Sequence, residues 1–242
     1  MKTVKKLHTA WSTRKEKGYI TLLERLIPAL TYLFLYLKWF DLLEDANRSS
    51  YVIVHTELDD MIPFAEIFAI PYYLWFFYVI ATLTFLILLP RSEDYYKALF
   101  FMCAGMTVFL LFSTFVPTLQ PLRPAVMPRD NVFTHMIARL YMTDTPTNVF
   151  PSIHVYNSIA CVIALNRVPQ LDRHKWVRVS AGILSALVIL STMLIKQHSV
   201  IDVAGAFVMA FVFYRITYQS DFVVNAMHIR EREFSLSARS HS

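Results

Sequence analysis

The 242-residue chain is 56% hydrophobic and 15% aromatic but only 17% charged, with a formal net charge of +5 and a mean hydropathy of +0.43. Soluble domains average about 25% charged and 45–50% apolar residues, so this composition departs toward the membrane on both counts and excludes a disordered tail protein, a secreted disulfide scaffold and an ordinary cytosolic enzyme. Cys103 and Cys161 both sit in apolar runs without a CxxC or Cys/His neighbour, and the chain has only 4 glycines, so neither a disulfide, a zinc site nor a Gly-rich phosphate loop is expected.

A hydrocarbon core about 30 Å thick takes roughly 20 apolar residues as a helix. Six such runs follow in order, at about 20–40, 68–90, 97–117, 152–167, 177–195 and 199–217, the fourth being short. Any one run also suits a buried helix of a soluble core, but six in one small chain do not. The expected fold is therefore all-α, a six-span transmembrane helical bundle. Residues 1–19 form a basic N-terminal segment, 20–217 the membrane domain and 218–242 a polar tail. Lys2, Lys5, Lys6, Arg14, Lys15 and Lys17 precede the first run without a small-residue cleavage site, so an uncleaved, cytoplasmic N-terminus is expected. Six spans then put sixteen Lys/Arg on the side of both termini and six on the other, with Arg25 inside a span. The positive-inside rule places 41–67, 118–151 and the turn near 196–198 outside the cytoplasm. The basic N-terminal segment suits contact with anionic lipids at the cytoplasmic face, and no nucleic-acid partner is expected.

Ionisable groups at the edge of a span are costly and mark function. Three clusters fall on the outer side: PTLQPLRP, ending in Arg123-Pro124; Phe150-Pro151-Ser152-Ile153-His154 at the start of span four; and Lys196-Gln197-His198 with Asp202 at the start of span six. Each has a plain structural reading. Arg123 suits an interfacial arginine, Ser152 an N-cap, His154 a packed histidine, and His198 with Asp202 a satisfied i, i+4 pair. Together they form a set for phosphoryl transfer. Ser152 and the free N–H groups of a helix start, including that of Ile153, suit a phosphate. Arg123 adds a planar cationic fork. Asp202 can fix the tautomer of His198 and leave its other nitrogen nucleophilic, while His154 can protonate a leaving alkoxide. No carboxylate cluster on that side is available for magnesium, so neither a metal nor another cofactor is expected.

These clusters resemble the three motifs of the type-2 phosphatidic acid phosphatase superfamily of six-span membrane enzymes. Pro151-Ser152-Ile153-His154 is similar to its Pro-Ser-Gly-His motif. Ser191-Thr192, five residues, then His198-Ser-Val-Ile-Asp202 is similar to its Ser-Arg…His-x-x-x-Asp motif, and Arg123-Pro124 matches the end of its Lys…Arg-Pro motif. The resemblance covers about 97–217. It implies His198 as the nucleophile that forms a phosphohistidine, Asp202 as its orienter and His154 as the acid and then the base. Arg123, Ser152, Ile153 and Lys196 are the candidate phosphate-binding residues. Val116, Ile153 and Thr192 depart from the family's lysine, glycine and arginine. Lys196 is the first candidate to replace the lost charge, by reaching back one helical turn toward Thr192, with Arg129 and Arg139 next.

The expected activity is that of a plasma-membrane lipid-phosphate phosphatase with an outward-facing site, acting on phosphatidic acid, phosphatidylglycerol phosphate or a polyprenyl phosphate. A lipid head-group phosphotransferase is the second reading, since Phe-Pro-Ser-x-His and Lys-Gln-His are similar to the branch containing inositol phosphorylceramide synthases. A non-catalytic transporter or scaffold of the same fold is the third, supported by the missing cations and opposed by the surviving histidines and aspartate.

Overall fold

The computed structural model describes residues 2–46, 48–89, 92–220, 222–223 and 225–226, with side chains from Leu22 onward apart from Ser92. The tail beyond 226, Arg91 and the side chains of the basic N-terminal segment lie outside the described residues. Eight α-helices are present among those described: α1 (Lys2–Glu44), α2 (Glu57–Met61), α3 (Ala69–Leu88), α4 (Ser92–Phe115), α5 (Val132–Thr143), α6 (Ile153–Arg167), α7 (Lys175–Leu194) and α8 (Val200–Tyr218). Two short strands, β1 (Val52–Ile53) and β2 (Thr118–Leu119), pair in parallel.

Five segments are long and apolar enough to cross a membrane: Leu22–Glu44, Glu66–Leu88, Glu93–Phe115, Lys175–Leu194 and Val200–Tyr218. They correspond to five of the six expected runs. The other run forms α6, whose 15 residues extend about 22 Å, short of a hydrocarbon core. Sequence and packing explain the difference. Nine residues of α6 are buried, including Val155, Tyr156, Ala160, Cys161 and Ala164, and α3, α4, α7 and α8 all pack on it. A helix sheathed by protein has little lipid to match, so its length is set by its neighbours. Close approach needs small residues here. A β-carbon on Gly105 of α4 would lie 2.2 Å from the Tyr156 ring, and one on Gly205 of α8 would lie 2.4 Å from the Phe150 ring.

The helix ends gather in two groups. At one end Arg25 donates to the carbonyls of Ile87 and Leu89, and Arg178 to that of Val168. At the other end the connecting segments are laced together. β1 joins β2, Gln120 N–H donates to Pro146 O (2.9 Å), Asn148 N–H to Thr118 O (2.7 Å) and Ala65 N–H to Leu194 O (3.0 Å). Two segments expected as loops carry helices there. In α5, Asn131 caps the first turn by accepting from Phe133 and Thr134 N–H, and Ile137 and Leu140 pack with Ala69, Tyr72 and Ile195. All three motif clusters lie at this laced end.

Candidate active site

The three clusters meet because each begins or ends a helix at the same level. Ser152 caps α6, its Oγ accepting the Val155 N–H at 3.4 Å, as its place in the sequence predicts. Its own N–H donates to Asp202 O at 3.2 Å, which ties the start of α6 to the first turn of α8. Helix α7 stops at Leu194, and the N–H groups of Gln197 and His198 both turn back onto Thr192 O, at 2.9 and 3.0 Å. Ser199 then caps α8, with its N–H donating to Asp202 Oδ2 at 2.9 Å. The tight turn between two long helices thus carries His198.

His198 is held on both ring nitrogens. Nδ1 lies 3.3 Å from Asp202 Oδ2, and Nε2 lies 3.5 Å from His154 Nδ1. A carboxylate only accepts, so this arrangement puts the proton on Nδ1 and leaves the Nε2 lone pair facing His154. Asp202 is fully buried, and its other oxygen has no protein partner among the described residues. His154 stands against an aromatic wall from α3, with Tyr72 at 4.7 Å and Trp75 at 4.3 Å between ring centroids.

Arg123 arrives from the segment after β2. Its guanidinium donates to Tyr141 O (3.2 Å), Thr145 O (3.1 Å) and Gln197 Oε1 (2.7 Å), and lies 4.4 Å from the Tyr141 ring centroid. Burial lowers its pKa, against the raising influence of Asp144. Asp144 follows α5, and burial pushes its carboxyl up to about 6 although Arg123 and His198 pull it down.

Lys196 is placed differently from the expected helical continuation. The helix has already ended, the residue is in the left-handed region (φ 55°), and its ammonium donates instead to Asp59 O (2.7 Å) and Ile62 O (2.6 Å). Burial lowers its pKa, opposed by Asp59 and Asp60. Of the other candidate cations, Arg129 is paired with Glu66, and Arg139 is exposed on α5.

Several site residues went unrecognised in the sequence. Gln197 stands inside a quoted motif, and its Oε1 anchors Arg123. Gln120, also inside one, donates to Lys196 O at 2.9 Å. Trp75 lies in the second apolar run, which reads only as a membrane span. The Trp75 Nε1, Arg123 Nε and Gln197 Nε2 donors are buried and lack a protein acceptor among the described residues. Such donors cost stability unless a ligand or solvent accepts from them, which suits an anion site beside the two histidines.

A family model of the PAP2 superfamily matches residues 51–216. The chain belongs to the PAP2 superfamily. The match takes in α2 and α3 as well as the motif-bearing helices, so it reaches further toward the N-terminus than the motifs alone. Among proteins of curated function and among solved structures, none matches this PAP2-superfamily chain. Membership and the apolar helices fit a membrane phosphatase-type protein.

Proposed function

We propose that the protein is an integral-membrane lipid-phosphate phosphatase, independent of metal, with six spans and its site at the extracytoplasmic face of the plasma membrane. The observation that carries this is the chain Asp202–His198–His154, with an orienting carboxylate on one nitrogen of His198 and a second imidazole facing the other. In the first step His198 Nε2 bonds to phosphorus while the phosphorus–oxygen bond to the lipid breaks. Protonated His154 gives its proton to the departing alkoxide. In the second, neutral His154 takes a proton from water, the hydroxide oxygen bonds to phosphorus, and the phosphorus–nitrogen bond breaks to release inorganic phosphate. Arg123, Ser152 and the Ile153 N–H are the groups assigned to the phosphate oxygens. The test is phosphate release by the detergent-purified protein from phosphatidic acid, phosphatidylglycerol phosphate and a polyprenyl phosphate, with His198→Ala as control. Release equal in the two proteins would remove the reading.

One observation favours a second reading. With Lys196 engaged on Asp59 and Ile62 and Arg129 on Glu66, Arg123 is accompanied by the neutral amide of Gln197. A phosphate monoester carries about −1.5 to −2 at pH 7, whereas a diester carries about one negative charge and asks for fewer cations. The geometry therefore also suits a diester donor whose head group passes to an alcohol. Adding alcohol acceptors and a phosphodiester lipid to the same assay separates the two readings by product.

A further inference from the structure

Asp59 belongs to no motif, yet it is 1% exposed on the five-residue helix α2. A buried carboxylate persists only where donors surround it, and two of its donors come from the turn that carries His198. Ser199 Oγ–H donates to Oδ2 at 2.6 Å and Val200 N–H to Oδ1 at 2.8 Å, while Thr56 N–H also donates to Oδ2 at 2.8 Å. Burial alone would raise the Asp59 carboxyl, but these hydrogen bonds hold it below its usual range. The Lys196 ammonium closes the other side on Asp59 O and Ile62 O. Four bonds therefore join 59–62 to 196–200, two from before His198 and two from after it.

The two carboxylates divide the first turn of α8. Asp202 accepts from Ser199 N–H and faces His198 Nδ1, while Asp59 accepts from the Ser199 hydroxyl and from Val200 N–H. The Ser199 hydroxyl thus ties the first turn of α8, and with it the carboxylate that faces His198 Nδ1, to Asp59. We propose that Asp59, acting through Ser199, is a positioning residue that fixes the orientation and tautomer of His198. The cation expected at the phosphate, Lys196, serves this latch instead. The inference rests on His198 being the nucleophile.

The test uses the full-length protein in detergent with ring-15N histidine, the His198 signals being assigned with His198→Gln. Wild type is expected to show His198 as the Nδ1–H tautomer. Asp59→Asn is expected to mix the tautomers and to lower kcat about tenfold or more with KM within about twofold, as a misplaced reacting group does. Ser199→Ala should act in the same direction. The double variant should lose no more than the worse single one, since both break one connection. A wild-type ring signal and kcat in Asp59→Asn, or losses that add in the double variant, would overturn the proposal. Should Asp59→Asn not fold, Ser199→Ala decides by the same two readouts. If wild type turns over no lipid phosphate, the functional reading fails, while the ring-nitrogen comparison still decides the latch.

Discussion

Arg123 and Gln197 are joined side chain to side chain, the guanidinium donating to Gln197 Oε1 at 2.7 Å. The residues lie 74 positions apart, and the bond fastens the segment after β2 to the residue preceding His198. A cation that would otherwise snorkel to the interface is thereby held in a fixed orientation beside the turn that carries His198. Two backbone carbonyls and the Tyr141 ring complete its seat.

That seat fits a planar fork and not a point charge. Arg123→Lys is expected to lower kcat/KM on a lipid phosphate by two decades or more, in keeping with the roughly 2.7–4 kcal/mol typical of losing one transition-state donor. Gln197→Leu should cost less, because the two carbonyls still hold the guanidinium. Steady-state kinetics of the two variants check the order. Near-wild-type turnover in Arg123→Lys would show that only its charge matters.

The two histidines are expected to fail in different ways. His198→Ala should abolish turnover while the protein keeps its elution profile and thermal transition in detergent. His154→Ala should slow expulsion of an alkyl alkoxide far more than that of an aryl oxide, since only the former needs a proton. Comparing a lipid phosphate with an aryl phosphate reads this directly. Because nucleophile and acid are both side chains, chelators should leave the rate intact. A strict magnesium requirement would contradict the assignment.

Single cysteines report the proposed topology. Position 61 is the better outer probe than its neighbour 59, because Met61 is 78% exposed whereas Asp59 is 1% exposed. Cysteines at Met61 and Pro128 should be labelled by an impermeant reagent on intact cells, and one at His174 only after permeabilisation. The reverse pattern would invert the orientation drawn from the charge split.

Much of this arrangement was legible in the sequence because its carriers are local. Apolar run length marked five long helices, Ser152 stands where a cap belongs with His154 following within a turn, and His198 and Asp202 share one helix face by their i, i+4 spacing. What was not legible depends on contacts between distant segments. Nothing near Asp59 distinguishes it from Glu57 or Asp60 until Ser199 and Val200 are seen to donate to it. Lys196 was expected to reach back one helical turn toward Thr192, which needs α7 to continue through it. The return of Gln197 and His198 N–H onto Thr192 O ends the helix and sends the lysine the other way. The shortness of α6 was legible, but its cause, burial among four helices, was not.

The pH dependence is expected to come from Asp144. Burial lifts its carboxyl to about 6, with Glu44 adding to the rise and Arg123 and His198 opposing it. Below that pH the group is neutral and the Arg123 charge is available to a bound phosphate. Above it, a carboxylate shares that field and competes. KM for an anionic substrate should therefore climb as pH rises through about 6, and Asp144→Asn should hold the low-pH KM across the range. The substrate's own second ionisation also falls near pH 6, but it affects both proteins alike and cancels in their ratio. Stability follows the same sign. The folded-state pKa lies above the unfolded value of about 3.9, so the folded protein binds the proton more tightly between those values. The contribution from this group is present at low pH and fades as pH rises to about 6. Wild type should thus gain thermal stability on acidification from pH 7 to 5, relative to Asp144→Asn. If the variant's KM profile runs parallel to that of wild type, Asp144 does not share the field of Arg123.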